Sequence, residues 1–232
     1  MAGYTTYIDL IRPLISGKRI ISSTMTQEVD RVEAAIAEAL SGKSCAIVSS
    51  GDSGIYAMAG LALEICAARR IPILKPDTSA DIPSDALQVE IVPGIPAVCA
   101  GASLLGAPLT HDFACISLSD LLTPWEVIEK RLNAAALADF VIVLYNPKSK
   151  RRASQLERAQ QIVLEHRNPQ TPVGIVTSAM RDDQEIHLTT LDHLHQAKVT
   201  MLSTVFIGNS TTFTYLGQMI TPRGYSQKYD IR

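Results

Sequence analysis

Four residues without polar interruption, Cys45-Ala46-Ile47-Val48, break into Ser49-Ser50-Gly51-Asp52-Ser53-Gly54 and lead into a helix-like segment from Ile55 to Ala68. Few patterns limit a fold more. A short apolar run lacking alternation reads as a strand buried on both faces, the habit of parallel sheets. Two glycines among short polar residues then permit a tight main-chain turn. Strand, turn and helix in that order form βα units, whose ligands bind at the carboxyl ends of the strands. Asp52 in such a turn either faces a cation or a ribose hydroxyl, or caps the helix that follows. The glycine spacing excludes two related turns. Gly51 and Gly54 are three apart and Gly60 lies well inside the helix, so the Gly-x-Gly-x-x-Gly dinucleotide fingerprint is not met. No Gly-Lys-Ser/Thr follows to make a phosphate loop. The turn suits a ligand without phosphates.

The βα alternation continues on both sides. Arg19–Ser22 reads as a strand and Gln27–Leu40 as an amphipathic helix with Val29, Val32, Ile36 and Leu40 on one stripe. Strands at Ile71–Leu74 and Gln88–Val92 follow, then a sharp break at Pro93-Gly94-Ile95-Pro96 and a small-residue helix over Ala97–Leu105. The breaker Gly106-Ala107-Pro108-Leu109 marks a domain boundary and divides the chain into lobes over 1–107 and 108–232. In the second lobe, strands are expected near Phe113–Leu118, Asp139–Tyr145, Val173–Thr177, Ile186–Thr190 and Ser203–Ile207. Thr123, Pro124 and Glu126 form a capping box at the start of one helix, and another spans Ser154–His166. The architecture is therefore α/β, two lobes with a ligand cleft between them.

Composition narrows the class. With 232 residues, 47% hydrophobic and 19% charged, the chain is globular and long enough to bury a substantial core. A net charge of −2 gives no pull toward nucleic acid or a membrane surface. Cys45, Cys66, Cys99 and Cys115 include no Cys-x-x-Cys pair, and three of them lie in apolar runs, as free thiols in a reducing cytosol do. No run of 18 apolar residues and no basic-then-apolar start is present, so a soluble, cytoplasmic protein is expected. His193 and His195 alternate as ligands on one strand face would, but no third ligand stands at a telling spacing, and no metal site is expected.

Seven segments in order give the chain a resemblance to a known family. They are Tyr7–Leu10, Ser49–Tyr56, Val92–Ala97, Gly106–Phe113, Ser117–Trp125, Leu144–Arg152 and Phe206–Ser210. Together they resemble the tetrapyrrole methyltransferases, and within them the branch that methylates C-17 of a precorrin in cobalamin biosynthesis. The likeness spans nearly the whole chain. It implies a two-lobed α/β enzyme, commonly a homodimer, that uses S-adenosylmethionine and acts on precorrin-3B or its cobalt counterpart with ring contraction. Two features depart from the family pattern. The usual opening strand with its Gly-x-Gly-Pro-Gly loop is missing before Met1, and Ser53 stands where the family turn has proline. The alternatives are a sister methyltransferase acting at another carbon and a non-catalytic protein that binds tetrapyrrole or cofactor.

The implied chemistry needs no acid–base dyad. A sulfonium donor arrives activated, and the protein's task is to align methyl and acceptor carbon. By the resemblance, the donor contacts are Ser50, Gly51, Asp52 and Ile55, then Pro96 and Ala97, then Asn146, Gly174 and Thr204 in the second lobe. Lys148, Lys150, Arg151 and Arg152 form the densest basic cluster. They read either as a solvated helix face or, placed just before a helix N-terminus where the macrodipole disfavours cations, as partners for the carboxylates of a corrin precursor. No catalytic residue is assigned. His111-Asp112 reads as a hinge hydrogen bond and Trp125 as packing.

Overall fold

The computed structural model describes residues 1–24, 26–75, 83–149, 152 and 154–231. It divides into two compact units, Met1–Pro96 and Ala97–Arg232.

The first unit opens with β1 (Ala2–Tyr4) and α1 (Thr5–Leu10), followed by β2 (Ile21–Ser23), α2 (Glu28–Leu40), β3 (Ile47–Val48) and α3 (Met58–Ala68). Its three-stranded sheet runs β2-β1-β3, and both pairings are parallel. β1 is thus the central strand, although its three residues carry no apolar run. β3 lies at an edge, and this corrects the expectation of a strand buried on both faces: Ile47 and Val48 are only half-buried. β4 (Ile73–Leu74) and β5 (Leu87–Gln88) form a separate parallel pair, shorter than the expected strands. Helix α2 turns Val32, Ala35 and Ile36 into a core shared with Cys66 of α3 and with Leu87. Val29 faces outward at 49% exposure, and Arg31 takes the inward place at 4%.

The second unit begins with α4 (Ala97–Leu105) and β6 (Gly106–Ala107), then β7 (Phe113–Ser117), α5 (Trp125–Leu137), β8 (Val141–Tyr145), α6 (Gln155–Leu164), β9 (Pro172–Thr177), β10 (Glu185–Thr190) and β11 (Ser203–Ile207). β12 (Phe213–Tyr215) and β13 (Gln218–Ile220) close the series. Its main sheet has the order β10-β9-β11-β8-β7, with β7 and β8 parallel and the remaining pairs antiparallel. One face packs Ile116, Ile142, Leu144, Ile175, Val205 and Ile207 against α5 and α6. The other face receives α4. There, a Cβ on Gly101 of the helix would lie 2.7 Å from the Phe206 ring, and one on Gly174 of β9 would lie 2.5 Å from Leu105 Cδ1. Each glycine admits a large side chain from the opposite element, so α4 and the sheet interlock.

Three local expectations change. The Gly106–Leu109 segment is no linker, because Gly106 and Ala107 pair in parallel with Met219 and Ile220, and α4 and β6 belong to the unit that starts at Ala97. No capping box forms at Thr123. Pro124 is extended at ψ 141°, the helix starts at Trp125, and no side chain caps it. His193 and His195 lie in a 3-10 turn over Leu191–Gln196, not on a strand face.

Candidate active site

In the first unit, two loops meet beyond the carboxyl end of the sheet. The chain leaves β3 and does not become helical until Met58, so Ile55 belongs to the turn rather than to the helix. Gly51 has φ +77° and Tyr56 φ +51°, which lets the segment double back. Asp52 joins this turn to the Pro-Gly break. Its Oδ1 accepts from the Gly54 N–H at 2.8 Å, and its Oδ2 accepts from the Gly94 N–H at 2.9 Å. Ser53 Oγ donates to the Val92 carbonyl at 3.0 Å, a bond that proline could not make. The main chains are so close that a Cβ on Gly94 would overlap the Gly51 carbonyl oxygen. A Cβ on Gly51 would sit 3.6 Å from Pro96 Cα. The Gly94 and then the Gly54 N–H hold the Asp52 carboxyl below its ordinary range. Both carboxylate oxygens therefore brace the two loops, and Asp52 does not cap α3.

Around this clasp the surface is apolar. Ile55 is 40% exposed, Val92 65% and Ile95 73%. Main-chain groups and aliphatic side chains thus face outward from a braced scaffold.

In the second unit, the carboxyl ends of β7 and β8 meet the amino end of β11. Thr204, 6% exposed, lies beside the end of β8, since Val205 pairs with Leu144. Asn146 follows β8 at φ +50° and donates Nδ2 to Ser117 Oγ at 3.0 Å. The Tyr145 hydroxyl accepts from the Val98 N–H at 2.7 Å, supplying a partner to the first turn of α4 next to Ala97. Arg152, 9% exposed, donates Nη1 to Ser119 Oγ at 3.0 Å and Nη2 to the Asn146 carbonyl at 3.4 Å, while its buried Nε has no partner. Lys148 is exposed; Lys150 and Arg151 lie outside the described residues. Asn146 and Thr204 share this edge of the sheet. Gly174 is farther down β9, paired with Phe206, with Leu105 filling its side-chain face.

The remaining sequence candidates sit elsewhere. His111 Nδ1 accepts from the Asp112 N–H at 2.8 Å, and Trp125 Nε1 donates to Glu129 Oε1 at 2.9 Å. Sequence reasoning missed Ser117, Tyr145 and Arg31. Among the described residues no group of three His, Cys, Asp or Glu side chains is placed to hold a metal ion.

A braced turn in a parallel α/β unit, main-chain groups instead of a catalytic dyad, and a polar strand end in a second α/β unit define a two-unit methylase of the tetrapyrrole type. A profile of the Tetrapyrrole (Corrin/Porphyrin) Methylases matches residues 5–195, and the chain belongs to that family. Its chemistry is accordingly S-adenosylmethionine-dependent C-methylation.

The relatives narrow the branch. The chain is 49% identical to the cobalt-factor III methyltransferase of Priestia megaterium over 99% of its own length, which is 41% of that protein's. It is 46% identical to a probable cobalt-factor III C(17)-methyltransferase of Salmonella typhimurium, covering 97% of this chain and 88% of the relative. The crystal structure of the methyltransferase CobJ superposes with a TM-score of 0.83 at 33% identity, covering 95% of this chain and 87% of that one.

The residues present fit the donor. Gly51 and Gly54 keep side chains out of the turn, and Ile55 and Ile95 offer apolar surface to an uncharged ring. When bound, S-adenosylmethionine supplies the activated methyl group.

Proposed function

We propose that this chain methylates C-17 of cobalt-factor III in cobalamin biosynthesis, with contraction of the macrocycle. The observation that carries the reading is the Asp52 clasp, which joins two loops 42 residues apart through the Gly94 N–H. A displacement at carbon gains mainly from alignment, and a clasp of this kind fixes two main-chain segments against one ligand. Ser50, Gly51, Asp52, Ile55, Pro96 and Ala97 hold the donor, with Asp52 acting through the loops it braces. In the second unit, the donor contacts we propose are Asn146, Gly174 and Thr204.

The basic run Lys148–Arg152 receives acceptor carboxylates. Arg152 already has its guanidinium fixed by Ser119 and Asn146, a preorganised fork for one of them. The working form is a homodimer in the cytoplasm; among the described residues no helix is long and apolar enough to cross a membrane.

The test incubates the protein with S-adenosylmethionine and cobalt-factor III, with precorrin-3B in a parallel arm. A product heavier by about 14 Da, a net CH₂, with the new methyl at C-17 by NMR, is expected in the cobalt arm. Methylation at another carbon, or none in either arm, refutes the assignment. Light scattering that gives a monomer mass refutes the dimer.

A further inference from the structure

Arg31 is a buried cation of the first unit. It lies in the first turn of α2, 4% exposed, in line with Val32, Ala35 and Ile36. Nε donates to Ser23 Oγ at 2.7 Å, Nη2 to the Thr24 carbonyl at 3.1 Å, and Nη1 to Met58 Sδ at 3.7 Å. All three partners are neutral, and no carboxylate pairs with it among the described residues. A guanidinium carries five N–H donors, so two remain unspent. Burying such a group without a counter-ion costs more than burying an apolar side chain of similar volume.

The position of this charge gives it a use. Ser23 ends β2, and Met58 begins α3 directly after the braced turn. Arg31 therefore lies at the carboxyl edge of the parallel sheet, the edge at which such folds bind ligands. We propose that Arg31 receives one side-chain carboxylate of the tetrapyrrole acceptor and selects for macrocycles that bear it. The inference rests on the tetrapyrrole reading given above. A substrate carboxylate there would supply the counter-ion that the described residues do not. The donor also carries a carboxylate, so the experiment reads donor and acceptor binding separately.

The experiment compares the parent with Arg31→Met and Arg31→Lys. Uroporphyrin, a stable carboxylate-bearing tetrapyrrole, serves as acceptor probe by absorbance titration, and S-adenosylhomocysteine as donor probe by calorimetry. Arg31→Met is expected to unfold at the parent's temperature or above it, to bind S-adenosylhomocysteine within twofold of the parent, and to bind uroporphyrin at least tenfold more weakly. Arg31→Lys restores part of that loss, keeping the charge without the planar fork. Parent-like uroporphyrin binding by Arg31→Met overturns the inference. So does loss of donor binding, which would assign the carboxylate to the donor, or a lowered unfolding temperature, which would make the role structural. A parent that binds uroporphyrin yet methylates neither corrinoid refutes the reaction and leaves Arg31 standing. A parent that binds no tetrapyrrole refutes both.

Discussion

Replacing Gly94 by alanine tests the clasp with the smallest perturbation available. Its φ lies outside the left-handed region, so alanine meets no main-chain strain and the effect is purely steric. The added methyl would overlap the carbonyl oxygen of Gly51. Carbon and oxygen of this kind approach no closer than roughly 3.3 Å, and neither atom ends a flexible side chain, so the two loops must part by about 1 Å. That displacement stretches the 2.9 Å bond from the Gly94 N–H to Asp52 and moves Gly51 away from Pro96. A misplacement of about 1 Å at a site that works by alignment lowers the rate roughly 10²-fold. The assay is kcat/KM for methyl transfer beside donor affinity by calorimetry, with thermal unfolding as control. Gly94→Ala should lose both activity and affinity while unfolding near the parent's temperature, because Gly94 is exposed and outside the core. Parent-like donor affinity would refute the argument that the paired loops form the donor site.

Other outcomes follow from the same geometry. The N–H groups of Gly94 and Gly54 depress the Asp52 pKa below its ordinary 3.8, so the clasp is fully present above that value and is lost as the pH falls through the lower folded-state pKa. The Gly94 amide resonance should report that loss, and Asp52→Asn should abolish the titration and weaken donor binding. Tyr145→Phe removes the acceptor for the Val98 N–H and should cost about 1 kcal/mol of stability with a several-fold weaker donor affinity; unchanged values in denaturant titration and calorimetry would show that the hydroxyl does not hold α4. Gly174→Ala forces a methyl against Leu105 and should destabilise by about 1–3 kcal/mol. If donor affinity falls further than stability does, the Gly174 main chain is a ligand contact as well.

The two turns of the candidate site were legible because turns announce themselves. Gly51-Asp52-Ser53-Gly54 and Pro93-Gly94-Ile95-Pro96 are breakers whose main-chain freedom is written in the residue types. That Asp52 joins the two was not legible, since a carboxylate in a turn looks the same whether it awaits a ligand, caps a helix or accepts from a glycine 42 residues on. β1 escaped notice because a central strand of three residues carries no periodicity to read. Arg31 was hidden by the same rule that made α2 visible: an apolar stripe puts Val29 inside and a charge outside, whereas a buried cation at 4% exposure follows no hydrophobic period. The helix start at Thr123 was misread because Pro124 satisfies the composition of a first helical turn while its ψ of 141° places it before that turn.

The parallel pairing of Gly106–Ala107 with Met219–Ile220 bears on how the chain matures as it is made. Helix α4 and its following strand are made well before the strand that secures them, Gln218–Ile220, leaves the ribosome. Until then the face carrying Val143, Val176 and Phe206 lacks the buried Met219 that completes its cluster. Nascent chains stalled before residue 218 should therefore expose a sticky apolar surface, attract chaperones and be cut readily within α4. A few more residues of synthesis would end that vulnerability.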